Sequence, residues 1–159
     1  MPTPEDAVLA EMQKLGVPFE RIDIDPAFAD TAAFCEKYGY PLERSCNTII
    51  VASKKQPKSF VACVVLAHTR LDVNKRVTKL MGVSKASFAS AEEMMALTGM
   101  QVGGVTPFAL PPGMPLFVDQ RIPDLEWIIL GGGGRTLKIK IPPAVFEALG
   151  AEVVEGLAM

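Results

Sequence analysis

Histidine is almost absent from this sequence, in which His68 is the only one among 159 residues. A Ser–His–Asp or Cys–His catalytic arrangement would have to use it, because both depend on a base that titrates near neutral pH. His68 follows an apolar run, so it is either a surface residue at a strand end or a contact at the mouth of a pocket. Zinc needs three or four converging ligands, and no such set is visible. We therefore expect neither a metal site nor a cofactor.

Cysteine, net charge and long apolar runs are also scarce. The three cysteines are odd in number and lack CxxC spacing, which predicts buried, reduced thiols in a cytoplasmic protein. No apolar run reaches about 18 residues and the N-terminus lacks a basic segment, so neither a membrane span nor a signal peptide is expected. The net charge of −2 argues against broad nucleic-acid binding, and no basic recognition helix for DNA is visible. Basic clusters at 54–58 and 70–79 are either solvated faces or a small nucleic-acid footprint.

The length predicts one domain, 1–159, with a composition of 49% hydrophobic and 21% charged residues that is ordinary for a globular protein. Capping residues predict helices that begin after Thr3, Asp72 and Ser90, and a further helix over 31–38. Helices and strands are interleaved irregularly, and a polar turn joins two apolar runs as in a hairpin, which favours a mixed sheet. Strands are predicted at 19–24, 48–52, 60–67, 116–119, 127–130, 137–141 and 152–154, with a short helix between the last two.

The stretch 98–113, TGMQVGGVTPFALPPG, is rich in glycine and proline: Gly103, Gly104 and Pro107 lie within five positions, and Pro111, Pro112 and Gly113 follow soon after. Glycine lets a ligand approach main-chain N–H groups, and proline fixes φ. The stretch is therefore either a tight connection between a helix and a strand, or a rigid backbone cradle for an oxyanion or carboxylate.

A second glycine run, 131–134, invites a nucleotide-binding interpretation. A dinucleotide-binding glycine motif opens a helix after its strand. Here the alternating segment 137–141 predicts another strand instead. The run is therefore expected to form a β-turn beside a pocket.

Short segments spread along the chain, in matching order and spacing, resemble the YbaK family of aminoacyl-tRNA deacylases, which is related to the editing domain of bacterial prolyl-tRNA synthetase. The Gly103-to-Pro107 segment resembles the GxxxP motif of that family. The other matching segments are Thr98-Gly99, Asn47 to Val51, Arg70-Leu71-Asp72, Leu110-Pro111, Val118-Asp119, Gly131 to Arg135 and Leu149 to Val153.

The resemblance implies an α+β domain with a mixed, partly barrel-like β-sheet flanked by helices. It implies a cytoplasmic deacylase that acts in trans on the acceptor end of a mischarged aminoacyl-tRNA, with a tRNA synthetase as a second candidate partner. Catalysis would rely on backbone amides rather than on a side-chain nucleophile. The implied catalytic residues are Gly103, Gly104, Val105, Thr106, Pro107 and Asn47, and the implied substrate-binding residues are Thr48, His68, Arg70, Phe108, Gly132 and Gly133.

Asn47 departs from the family, which usually carries a lysine before the strand threonine. A lysine offers a positive charge to a carbonyl or phosphate oxygen, whereas asparagine offers a neutral donor and an acceptor. The difference implies weaker catalysis, another substrate, or a binding protein that does not hydrolyse its ligand. Alternatively, Asn47 faces solvent at the start of its strand and its identity has no bearing on the site.

Overall fold

The computed structural model describes residues 3–159, and its helices begin at the expected capping residues. Thr3 begins α1 (Pro4–Leu15) with a reciprocal capping box to Asp6. A second capping box, formed by Ser90 and Glu93, begins α4 (Ala91–Thr98). The other α-helices of residues 3–159 are α2 (Thr31–Tyr38), α3 (Thr78–Met81) and α5 (Val145–Ala148). No helix within residues 3–159 is long and apolar enough to cross a membrane.

Within residues 3–159, eight strands form two sheets. They are β1 (Glu20–Asp23), β2 (Cys46–Ser53), β3 (Phe60–Leu66), β4 (Ala86–Phe88), β5 (Leu116–Asp119), β6 (Ile128–Gly131), β7 (Leu137–Ile141) and β8 (Glu152–Val154). The larger sheet has the order β4-β2-β3-β5-β8, in which β2 pairs antiparallel with β3, and β3 pairs parallel with β5. The smaller sheet, β1-β7-β6, is antiparallel. Parallel and antiparallel pairs therefore coexist, as expected of a mixed sheet.

The two sheets approach each other where β2 begins. A bridge between Ser45 and Ile129 links them there. Even-numbered residues of β2 such as Cys46 and Ile50 belong to the largest core cluster, which also contains the inner faces of β6 and β7. Odd-numbered residues such as Ile49 and Val51 belong to a second cluster on the other face of the sheet. The N-terminal half of β2 therefore lies where the two sheets meet. A site there can contact residues from either face of the strand.

The fold class expected from the sequence is confirmed: an α+β domain whose mixed sheet is flanked by helices, without closure into a barrel. The hairpin β2–β3 and the helix over 31–38 are also confirmed. The sequence did not predict β4, whose three residues are too few to show alternation. The segment after Asp72 begins with a π-helical turn over Val73–Val77 before α3.

Candidate functional site

A cavity of about 200 Å³, the small cavity, lies between the start of β2, the end of β6 and the stretch 98–113. We call this stretch the glycine–proline loop. The β2 residues that line the cavity combine apolar surface with a hydroxyl and an amide. Its full lining is Thr31, Cys46, Asn47, Thr48, Ile49, Gly103, Val105, Gly131 and Lys138. A small ligand in this cavity can therefore contact polar side chains of β2 and β7 and the backbone of the loop.

Three successive carbonyl groups of the loop are held by other parts of the protein. The Val102 carbonyl accepts from Arg135 Nη1 at 2.7 Å, and the Gly103 carbonyl accepts from Lys138 Nζ at 3.0 Å. The Gly104 carbonyl accepts from the Gly133 amide at 2.6 Å. In a trans peptide the N–H points opposite to the C=O, so these contacts also fix the amides of residues 103–105. The loop is a pre-oriented backbone segment.

The Gly104 amide is not available to a ligand, contrary to expectation, because it donates to the Gln101 carbonyl at 2.9 Å. Within residues 3–159, no protein acceptor meets the amides of Gly103, Val105 or Thr106. Of these three residues, Gly103 and Val105 line the small cavity. The candidate oxyanion donors are therefore the amides on either side of Gly104.

The glycine run 131–134 packs against the loop, and its first residue, Gly131, also lines the small cavity. Besides the Gly133–Gly104 contact, the Gln101 amide donates to the Gly133 carbonyl at 2.9 Å. A Cβ on Gly131 would lie 2.5 Å from the Val105 carbonyl oxygen, so glycine is needed for the loop to pack this closely. Gly131 ends β6 and the other three glycines lie in the connection to β7, where the backbone of the run holds the loop.

Lys138 is the charged side chain in the lining of the small cavity, and the sequence did not single it out. On β7 it lies opposite Ile22 on one side and Gly131 on the other. The loop backbone packs where a side chain on Gly131 would lie. Only 5% of Lys138 is exposed, and its ammonium nitrogen lies 5.5 Å from the centre of the Phe34 ring. Burial lowers the pKa of Lys138 to about 8, opposed by the attraction of Asp30.

Asn47 lies at the cavity, half-buried, with its side chain already engaged. Its Oδ1 accepts a hydrogen bond of 2.6 Å from the Thr31 hydroxyl at the start of α2. The adjacent Thr48 is 8% exposed, and its hydroxyl has no partner within the described residues. A buried hydroxyl without a partner costs free energy, so a ligand that reaches Thr48 could satisfy it.

A second, larger cavity of about 490 Å³ adjoins the first and shares Asn47 and Ile49 with it. Arg70 and the exposed ring of Phe88 line it. Its other lining residues are Val65, Thr69, Leu71, Asp72, Val73, Asn74 and Met159. We call it the outer cavity. A ligand longer than the small cavity can therefore extend over Asn47 into the outer cavity.

The structure brings together only part of the residue set expected from the sequence. Gly103, Val105, Asn47 and Thr48 line the small cavity, and Arg70 lines the outer one. The remaining expected residues lie elsewhere, in positions that the packing explains. Phe108 is fully buried in the main core, Thr106 and Pro107 are buried in the loop, Gly132 packs on Leu137, Gly133 packs on Val8, and His68 is exposed in the turn after β3.

The cysteines are buried, as expected, and Cys46 lies at the small cavity. Burial, with a smaller contribution from the negative charge of Asp119, raises the pKa of the Cys46 thiol far above its ordinary value. Burial also raises the pKa of Cys63 to about 12. A thiolate is the nucleophilic form, so neither residue is poised for nucleophilic attack at neutral pH. Within residues 3–159 no three His, Cys, Asp or Glu side chains cluster as metal ligands.

Comparison with known proteins points to one family. The sequence model of the aminoacyl-tRNA editing domain matches residues 25–149. A proline–tRNA ligase from Bordetella petrii is 25% identical over 126 residues, which are 79% of this chain and 22% of the ligase. The chain thus spans less than a quarter of the length of that relative.

Solved structures share the fold over almost the whole chain. The hypothetical protein APE2540 superimposes with a TM-score of 0.85 at 27% identity, covering 96% of this chain and 99% of that one. A candidate trans-editing enzyme for prolyl tRNA synthetase has a TM-score of 0.82 at 20% identity, with 98% and 97% covered. At this lower identity the likeness concerns the fold alone.

Proposed function

Because the chain belongs to the aminoacyl-tRNA editing domain family, we propose that it hydrolyses the ester bond of a mischarged aminoacyl-tRNA, acting in trans. The observation that carries the proposal is the pair of unpaired amides on Gly103 and Val105, fixed at the wall of a small cavity. Pre-oriented donors of this kind stabilise the negative charge that develops on an ester carbonyl oxygen.

The reaction needs little from side chains. A water oxygen adds to the ester carbonyl carbon, and the carbonyl oxygen becomes an oxyanion next to the two amides. When the intermediate collapses, the bond to the ribose oxygen breaks, and that oxygen takes the proton that the water gives up. The products are the free amino acid and a tRNA with a free terminal hydroxyl. The neighbouring ribose hydroxyl can orient the water, so positioning replaces a side-chain nucleophile.

The size of the small cavity suits selection by shape. With a volume of about 200 Å³, and with Ile49 and Val105 on its wall, it accommodates a small amino-acid side chain. A synthetase discriminates poorly between near-isosteric amino acids, by a factor of about a hundred, so a second pocket is needed to remove errors. The small cavity is proposed as that second pocket.

The outer cavity is proposed to take the terminal nucleoside of the tRNA. The ring of Phe88 is 57% exposed on its wall, and an exposed aromatic ring is a stacking platform for a base. Arg70, also on this wall, supplies a positive charge for the backbone phosphate. Because both cavities share Asn47, the ester would lie at their junction.

The test is a panel of tRNAs, each charged with a different amino acid and incubated with the purified protein. Release of one or a few small amino acids at a rate proportional to protein concentration is the expected result. The matched variants G103A and G113A distinguish damage to the site from the general effect of replacing a glycine that has positive φ. Both glycines have positive φ, 85° and 83°, but Gly113 has open space around it and does not line the small cavity.

A second candidate function is a non-catalytic module that binds an aminoacyl-like ligand in the same cavity. Asn47 favours it, because a neutral side chain already paired with Thr31 adds no charge to the reaction. Saturable binding of charged tRNA without release of amino acid, across the whole panel, would select this function over hydrolysis.

A further inference from the structure

Lys138 gives the small cavity a positive charge that comes from β7, not from β2. Among the residues that line this cavity within the described chain, it is the one with a cationic side chain. Its ammonium group has three N–H donors, and one of them is used by the Gly103 carbonyl at 3.0 Å. No other acceptor in residues 3–159 contacts it. Two donors therefore remain on a group that is almost fully buried beside the candidate oxyanion amides.

Resting on the proposed function, we propose that the Lys138 ammonium donates a hydrogen bond to the carbonyl oxygen of the aminoacyl ester, next to the amides of Gly103 and Val105. The contact to the Gly103 carbonyl positions the ammonium nitrogen, and the negative charge that forms on the ester oxygen strengthens the second bond. A charge-assisted hydrogen bond is about twice as strong as a neutral one, so this donor contributes most in the transition state.

Lys138 remains mostly charged near neutral pH, although its surroundings as a whole lower its pKa. The Gly103 carbonyl accepts from it, and the face of the Phe34 ring, from α2, lies beneath it. Among ionisable groups, Asp30 and Cys35 favour its charged form, and Arg135 opposes it. Burial is the largest influence and lowers the pKa to about 8, so most of the population is protonated at pH 7.

The first experiment compares deacylation by wild type, K138M, K138Q and K140M. K138M removes the charge at similar length, and K138Q retains an N–H donor without the charge. Lys140 is the matched control: it lies on the same face of β7, 4.5 Å from the Trp127 ring, outside the small cavity. We expect kcat to fall about a hundredfold in K138M, as for loss of one oxyanion donor, with K140M within about twofold of wild type. Rates of K138M and K138Q that both stay near the wild-type rate, in proteins that melt no lower than wild type, would overturn the assignment.

The pH dependence distinguishes an ammonium donor from an amine base. The ratio of the wild-type rate to the K138M rate cancels the titration of the substrate and the uncatalysed hydrolysis. If the ammonium acts, this ratio is highest below pH 8 and falls as pH rises above it. A ratio that instead rises through pH 8 would mean that the neutral amine removes a proton, and would overturn the proposed role.

Binding separates this inference from the proposed function. The probe is a non-hydrolysable amide analogue, an aminoacyl group joined to 3′-amino-3′-deoxyadenosine. If the wild-type protein releases no amino acid from any tRNA but binds the analogue, the proposed hydrolysis is wrong. The contact between Lys138 and the ligand carbonyl can then still be tested by binding. A tenfold or larger loss of affinity in K138M then supports the contact, and an unchanged affinity overturns it. If wild type neither hydrolyses nor binds, both proposals are wrong.

Discussion

The ammonium nitrogen of Lys138 lies 3.0 Å from the carbonyl oxygen of Gly103, and this contact joins strand β7 to the glycine–proline loop. Lys138 is only 5% exposed, which is unusual for a lysine unless something requires it, because burying an ion costs free energy. The contact couples the position of the loop to the presence of that charge. The free-energy cost of burying this charge lowers the stability of the folded protein, so it can be measured by unfolding experiments.

Replacing Lys138 by methionine should stabilise the protein at pH 7. The folded-state pKa falls from 10.5 to about 8, which corresponds to roughly 3 kcal/mol of destabilisation below pH 8. The Gly103 carbonyl loses its partner in K138M, at a cost of about 1 kcal/mol, so the net gain should be about 2 kcal/mol. Between pH 8 and 10.5 the unfolded chain binds more protons than the folded one, so wild-type stability rises with pH and the gain shrinks. Urea unfolding of both proteins at pH 7 and pH 10 checks this, and an equal difference at both values would contradict it.

The variant G103A should lose deacylation activity by about a hundredfold or more. Gly103 has φ of 85°, and a Cβ there would lie 2.6 Å from Arg135 Nη1, which holds the Val102 carbonyl. The backbone strain alone costs about 1–2 kcal/mol. G113A has the same strain without a neighbour within 4 Å, so it should lose similar stability while keeping its activity. Rate assays and thermal melts of the two variants decide the point, and equal activity losses would indicate a general effect on the loop.

The sequence predicted local structure well and long-range packing poorly, and the glycine run 131–134 shows why. Its turn and the strand after it follow from local pattern, as do the capping boxes at Thr3 and Ser90. Its docking against Gly104, about thirty residues away, depends on backbone approaches that leave no periodic signal. The sequence therefore indicated glycines near a site but assigned Gly132 and Gly133 to the ligand instead of to the loop.

Lys138 illustrates the same limit for a charged residue. The alternation of 137–141 predicts the strand correctly. That Lys138 is buried depends on α2, which brings Phe34 over it, and on Gly131 opposite it in the sheet. Neither neighbour can be paired with it from a single sequence. Asn47 and Thr48, by contrast, could be predicted to lie near the site from sequence, because they belong to a segment that resembles a family motif, and both line the small cavity.

Thr48 and Thr106 each have a buried hydroxyl without a partner within the described residues. Replacing either by valine should affect stability in the same way, but only the change at Thr48 should alter which amino acids are released. Thr48 lines the small cavity and Thr106 does not, while both are at least nine-tenths buried. Each substitution removes an unsatisfied hydroxyl, so T48V and T106V should each be neutral or gain about 1 kcal/mol. T48V, and not T106V, should release aliphatic amino acids faster relative to hydroxyl-bearing ones than the wild-type protein does. The tRNA panel measures this, and an altered preference in T106V would show that the two sites are coupled through the loop.

Alanine at Cys46 or Cys63 should leave most of the activity. Both thiols have raised pKa values because they are buried, so neither is a thiolate at neutral pH. Cys46 lies at the small cavity and Cys63 does not, which makes C63A the control for packing loss. The expected cost is one of stability, visible as a lower melting temperature. A C46A protein that is folded and inactive, beside an active C63A protein, would establish a thiol-dependent reaction.

Placing a lysine at position 47 on β2 should partly restore the activity of K138M, which lacks the positive charge on β7. Asn47 and Lys138 line the same cavity, so a lysine at position 47 can present its ammonium group to the same space. In N47K alone, two cations share a buried site, which lowers the pKa of each and should reduce the rate rather than raise it. In N47K/K138M the repulsion is absent, and we expect at least a tenfold recovery over K138M. The measurement is kcat for the single and double variants on the preferred tRNA. A double variant no faster than K138M would mean that the contact with the Gly103 carbonyl, which only position 138 makes, is required along with the charge.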